Sequence, residues 1–164
     1  MPGEAIPLIC LDACVLLSYI DGDEDRAPTI EELFRRSRAG EIDLITSILS
    51  RVEVAFDSAE KAGGALDPEV EKNIDALWIS PSPIDTVELY DQIASEARAL
   101  VRYAVEQGWS LKPPDAIHIA TATQMQAREL FTYDTALPKY ATRARLSILE
   151  PYNPQEQLPG TENV

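Results

Sequence analysis

Four acidic residues stand where carboxylates could do metal chemistry. Asp12 ends the apolar run Ile6-Pro-Leu-Ile-Cys-Leu11, and Asp134 ends Leu130-Phe-Thr-Tyr133. Each run reads as a buried strand, and ligands of open parallel sheets bind at the carboxyl edge of the strands. Glu53 lies beside Leu49, Val52 and Phe56, at the border of an apolar helical stripe. Asp115 falls in the first turn of a helix opened by Pro113-Pro114, aligned with Ile119 and Ala122. Carboxylates pointed into one crevice repel each other, and a divalent cation among them removes that cost. Hard oxygen donors suit Mg²⁺ or Mn²⁺. Simpler roles stand beside this one: Asp12 or Asp134 could cap the following helix, and Asp115 could serve the helix dipole. His118, the only histidine, is one turn from Asp115 and could touch the site; the simpler reading is a helix residue packed or hydrogen-bonded locally.

The elements that must position these acids alternate. Strands are predicted at 6–11, 42–45, 130–133 and 146–149, with a weaker one at Leu77-Trp-Ile79. Helices are predicted from Asp12 to Ile20, from the capping box Thr29-Ile-Glu-Glu32 to Ala39, and from Thr46 or Ser47 to Lys61. Asp67-Pro68 opens a short one. Asp85-Thr-Val-Glu88 reads as a second capping box, for a helix whose stripe is Leu89, Ile93, Ala97, Val101 and Val105. Gly40 and Gly108 close their helices. The last long helix runs from Pro113 to Gln126. Such alternation means an α/β fold with a mainly parallel sheet. The acidic stretch Asp21 to Asp25 is a solvated loop, and residues 151–164 are a loosely held tail behind a single domain of 1–150.

Composition narrows the function. The 164 residues carry 14 basic and 28 acidic side chains, a net charge of −14, which argues against charge-driven binding to nucleic acid or anionic membrane. A substrate held through a metal is still open. Two cysteines, Cys10 and Cys14, with one histidine give no structural zinc site and no disulfide framework. The start shows no signal peptide, and no apolar run approaches the ~20 residues that span a bilayer, so a cytoplasmic protein is expected. A dehalogenase-type phosphatase needs a second Asp where Cys14 stands, and a receiver domain needs an acidic pair beside Asp12; neither is present.

Four segments together resemble the PIN-domain ribonucleases, most closely the VapC-type toxins of prokaryotic toxin–antitoxin pairs. They are Leu-Asp12-Ala-Cys-Val-Leu-Leu, Thr46-Ser-Ile-Leu-Ser-Arg-Val-Glu53, Pro114-Asp115-Ala-Ile-His-Ile-Ala-Thr-Ala122 and Thr132-Tyr-Asp134. The third is the most specific, and the ordered set spans residues 6 to 149. The resemblance implies a three-layer α/β/α sandwich and an endoribonuclease that hydrolyses RNA phosphodiesters with Mg²⁺ or Mn²⁺. It maps the family's acids onto Asp12, Glu53, Asp115 and Asp134, and its frequent polar residue onto Thr132. Where such toxins often carry an aromatic residue, this chain has Leu137. On this reading Asp12, Glu53 and Asp115 hold one cation, with Asp134 binding it directly or through water. Thr132, Lys139, Arg143 and Arg145 are the expected substrate contacts. The resemblance also implies a homodimer held by an antitoxin, with Val15, Leu16, Tyr19 and Leu33 as candidates for an apolar contact surface. The alternative is a solitary or catalytically silent PIN-like protein that works by binding partners; the presence of all four acids favours the enzyme.

Overall fold

The computed structural model describes residue 3 and residues 5–153. Five strands form one parallel sheet: β1 (Leu8–Leu11), β2 (Asp43–Ser47), β3 (Asp85–Val87), β4 (Glu129–Phe131) and β5 (Ser147–Leu149), in the order β3-β2-β1-β4-β5. The chain builds outward from β1 to β3, then returns to place β4 on the other side of β1. That reversal puts a topological switch point between the carboxyl ends of β1 and β4, the place where open sheets of this kind bind ligands.

Helices cover both faces. On one side α1 (Ala13–Ile20), α2 (Ala27–Arg38) and α5 (Pro68–Asp75) pack with Ile9, Leu11, Leu44 and Phe131 in one apolar cluster. On the other side α6 (Asp91–Glu106) and α7 (Pro113–Gln124) pack with Cys10, Ile45, Leu130 and Ile148. Alternate residues of β1 and β4 thus serve opposite layers, which is the period-two geometry of a sheet buried on both faces. Two short helices, α3 (Ser50–Glu53) and α4 (Ser58–Gly63), follow β2. A 3₁₀ turn (Pro138–Tyr140) and α8 (Ala141–Ala144) precede β5. The architecture is the three-layer α/β/α sandwich expected from the sequence. No described helix is long and apolar enough to cross a membrane.

Several local expectations change. Leu77-Trp-Ile79 is not a strand: it continues from α5 as turns, with Leu77 buried and Ile79 exposed. The strand is instead Asp85–Val87, so Asp85 and Glu88 cap nothing; α6 starts at Asp91, after Tyr90. Of the expected stripe, Ile93 and Ala97 are buried while Leu89 and Val105 are exposed. Thr29 lies inside α2, whose start is organised two turns earlier by Asp23, whose Oδ1 accepts from the amides of Asp25 and Arg26. The long helix expected up to Lys61 is broken at Val54, and α4 has its own capping box from Asp57 and Glu60. The acidic loop is more than a solvated run: Asp21 accepts from both the amide and the hydroxyl of Ser58 at 2.7 Å, tying the loop to α4.

Val15, Leu16 and Leu33 are wholly buried, and Tyr19 packs edge-on against Phe34 at 4.8 Å. Val15, Leu16 and Leu33 thus belong to the core and offer no contact surface, whereas Tyr19 is partly exposed. The expected loose tail falls mostly on residues 154–164, which lie outside the described residues. Its first residues are engaged: Tyr152 stacks edge-on on Phe131 and donates to Glu129 Oε1 at 2.7 Å.

Candidate active site at the carboxyl edge

Asp12 leaves β1 at the switch point and precedes α1, yet its side chain does not cap that helix. It turns across the sheet instead. Oδ2 accepts from the Thr132 hydroxyl at 2.7 Å and from the Cys14 thiol at 3.2 Å. The backbone fixes the same junction, because the Asp12 amide donates to Phe131 O at 3.0 Å. Asp12 is 5% exposed and Thr132 1%. Burying a carboxylate this deeply without a basic partner costs several kcal/mol unless its lone pairs are occupied. Here the protein occupies Oδ2 and leaves Oδ1 without a hydrogen bond, 3.7 Å from His118 Nε2.

Thr132 is therefore not a substrate contact. It is too buried to reach one, and its hydroxyl is committed to Asp12 while also accepting from the Asp134 amide at 3.0 Å. Cys14, which in the sequence only distinguishes this chain from phosphatase motifs, is a second donor to Asp12; its spacing of two from the acid is the signal for that role. Asp134 is exposed just beyond β4, and its Oδ1 accepts from the Ala136 amide at 2.8 Å, shaping the turn toward the 3₁₀ segment. Asp134 therefore caps no helix: the segment Pro138–Tyr140 starts after Leu137 with no side-chain cap.

Glu53 ends α3, and Asp115 occupies the first turn of α7. Between them lies His118, on α7 one turn after Asp115 and fully buried. Its Nε2 is 2.5 Å from Glu53 Oε2 and 3.7 Å from Asp12 Oδ1, whereas its Nδ1 is buried with no hydrogen-bond partner. Carboxylates only accept, so Nε2 carries a proton. Burial alone would lower the His118 pKa. The Glu53 hydrogen bond and the charges of Asp12, Glu53 and Asp115 outweigh it, and the pKa is raised. Of the two readings the sequence leaves open for His118, the structure gives contact with the site; its partner Glu53, 65 positions away, is invisible to spacing along one helix.

The other acids act on Asp115. Burial, then the charges of Asp12 and Asp134, and lastly that of Glu53 raise the Asp115 pKa, against a partial offset from His118. Burial and neighbouring like charge both oppose ionisation of a carboxyl. Among the described residues no three His, Cys, Asp or Glu side chains close into a ready cage for an ion. In kind the donors fit a hard cation all the same: carboxylate oxygens, an Asp12 Oδ1 with no hydrogen bond, and excess negative charge around Asp115.

The basic residues lie after Asp134. Lys139 sits over the Trp109 ring at 4.8 Å, and Arg143 pairs with Glu96 at 3.1 Å beside Tyr103. Arg145 is exposed, in the left-handed region at φ 52°.

A family model described as the PIN domain matches residues 9–143. The chain belongs to the PIN-domain family. The solved structures it is similar to include VapBC2 from Rickettsia felis bound to a promoter DNA fragment, at 13% identity and TM-score 0.63, covering 89% of this chain and 99% of that one. VapBC-1 from nontypeable Haemophilus influenzae is similar at 16% identity and TM-score 0.61, over 87% and 97%. The Mycobacterium tuberculosis toxin VapC20, described as cleaving the sarcin-ricin loop, is similar at 15% identity and TM-score 0.57, over 77% and 90%. At these identities the likeness is one of fold. No curated protein matches the sequence.

Proposed function

We propose that this PIN-domain protein is a divalent-metal-dependent endoribonuclease and the toxin of a toxin–antitoxin pair. The observation that carries the reading is the meeting of Glu53 and Asp12 at His118 Nε2, 2.5 and 3.7 Å away, one helical turn from Asp115. Asp12, Glu53 and Asp115 would hold a Mg²⁺ or Mn²⁺ ion, with Asp134 at its outer side. Bound there, the ion would acidify a water and offset charge on the scissile phosphate.

The chain's own groups prepare that site. Thr132 and Cys14 occupy Asp12 Oδ2, so the carboxylate is held in one orientation with Oδ1 left without a hydrogen bond. The Asp134 amide, anchored on the same Thr132 hydroxyl, keeps the β4 exit in register with the β1 exit. Lys139 and Arg145 lie on the exposed surface after Asp134 and serve to meet the RNA backbone; Arg143, partly committed to Glu96, contributes less. An acidic protein gains little affinity from its overall field, so the cation and these few side chains must supply most of the grip on phosphate. An antitoxin partner and a homodimeric state complete the reading. The test is incubation of the purified protein with single-stranded RNA in Mn²⁺, in Mg²⁺ and in EDTA. Cleavage in either metal and none in EDTA is expected; no cleavage in any metal, or cleavage indifferent to EDTA, contradicts the proposal.

A further inference from the structure

Glu53 has little to hold it. It is the last residue of a four-residue helix, and the chain leaves helical geometry at Val54, with φ −88° and ψ 65°. A single turn does not hold by itself in water, so α3 depends on tertiary contacts. Its inward anchors are Ser50, hydrogen-bonded to Thr46 at 2.6 Å, and the buried Val54. Arg51, Val52 and Glu53 itself are exposed. Neither anchor orients the Glu53 carboxylate.

His118 does so from the opposite wall. Helix α7 packs on α6, β1 and β2, so the buried ring is fixed relative to the sheet and to Asp115 on the same face. Its Nε2–H reaches Glu53 Oε2 at 2.5 Å, with Asp12 Oδ1 at 3.7 Å. The other nitrogen is left buried without a partner, a cost an apolar residue here would avoid. The ring is thus kept for its Nε2 side. We infer that His118 is a positioning residue: its Nε2–H holds Glu53 within reach of Asp12 and Asp115, so that the carboxylates can share one divalent cation. The inference rests on the metal-nuclease reading above.

The test is Mn²⁺ titration calorimetry on the whole protein, with no RNA present. His118→Leu should weaken Mn²⁺ binding about 10–100-fold, the usual effect of losing a group that orients a metal ligand. His118→Gln, whose amide can donate from nearly the Nε2 position, should recover most of that loss. In a Glu53→Ala background His118→Leu should cost nothing further, because the group it orients is gone. Wild-type affinity in His118→Leu, equal weakness in His118→Gln, or additive losses with Glu53→Ala would each overturn the inference. Should His118→Leu fail to fold, the wild-type protein still decides. His118 is the only histidine, so ¹⁵N spectra of histidine-labelled protein report its ring alone. A proton on Nε2 is expected, and a bare Nε2 overturns the inference. If the wild-type protein binds no Mn²⁺, the metal-nuclease reading fails with it. If the wild type binds Mn²⁺ and cleaves RNA while the His118 variants bind normally, the inference alone fails.

Discussion

Replacing Thr132 with valine removes one hydroxyl from the centre of the site and little else. That hydroxyl donates to the buried Asp12 Oδ2 at 2.7 Å and accepts from the Asp134 amide at 3.0 Å. A hydrogen bond to a charged group contributes roughly 1.5–3 kcal/mol, and the weaker Cys14 thiol is what Oδ2 retains. The Asp134 amide belongs to an exposed residue, where water can replace its partner. The methyl that takes the place of the hydroxyl returns up to about 0.8 kcal/mol of apolar burial. The net loss is on the order of 1–2 kcal/mol. Equilibrium urea unfolding at neutral pH in EDTA measures it, with an unchanged m-value as the sign of an intact fold. The same substitution in an Asp12→Ala background should cost little or become favourable, since the hydroxyl then has no carboxylate to serve. An equal cost in both backgrounds would refute the claim that Thr132 acts through Asp12.

Asp115→Asn should raise the melting temperature of the metal-free protein at pH 7. The folded-state pKa of Asp115 is raised by burial first and then by Asp12 and Asp134, so the native state binds this proton more tightly than the unfolded chain. Its ionised form therefore costs stability at neutral pH, and that cost vanishes as pH falls below the ordinary aspartate range. The variant's advantage should shrink on acidification; the helix N-terminus works against it by ~0.3–1 kcal/mol, and an advantage that is absent or grows at low pH would contradict the shift. Cys10 and Cys14 should resist iodoacetamide at pH 8 in the native state and react in denaturant. Burial, then the Asp12 charge, raises both thiols, Cys14 to about 12; native alkylation at the rate of a free thiol would count against it. Tyr152→Phe should cost about 1.5 kcal/mol in urea unfolding by removing the hydrogen bond to Glu129. No measurable loss would mean that the contact after β5 contributes nothing.

The strands that carry Asp12 and Asp134 were legible because both are apolar runs buried on two faces and cut off by a polar turn. The edge strand β3 was not. Asp85-Thr-Val87 is only partly buried on the sheet's rim, so it lacks an apolar run, and Asp85 with Glu88 imitates a capping box. Leu77-Trp-Ile79 misled in the opposite sense: Leu77 packs under α5 and looks strand-like in composition, but a turn needs only one buried anchor. The acids themselves were legible by type and position. Their partners were not, since Thr132 reaches Asp12 across 120 positions and His118 reaches Glu53 across 65. Those contacts exist only once β4 lies beside β1 and α7 lies over β2. Of the candidate dimer residues, Val15, Leu16 and Leu33 are core, because α1 and α2 turn those faces to the sheet and to each other, while Tyr19 stays partly exposed.

On the proposed function, these carboxylates hold the divalent cation on which RNA hydrolysis depends. Asp12→Asn tests it most directly, because the amide keeps the shape and an acceptor for Thr132 while removing the charge. Mn²⁺-dependent cleavage of single-stranded RNA should disappear in the variant. Its circular dichroism and its metal-free melting temperature should match or slightly exceed those of the wild type, since one repulsive charge is gone. An Asp12→Asn protein, freed of contaminating nuclease, that cleaves RNA at the wild-type rate would contradict the account.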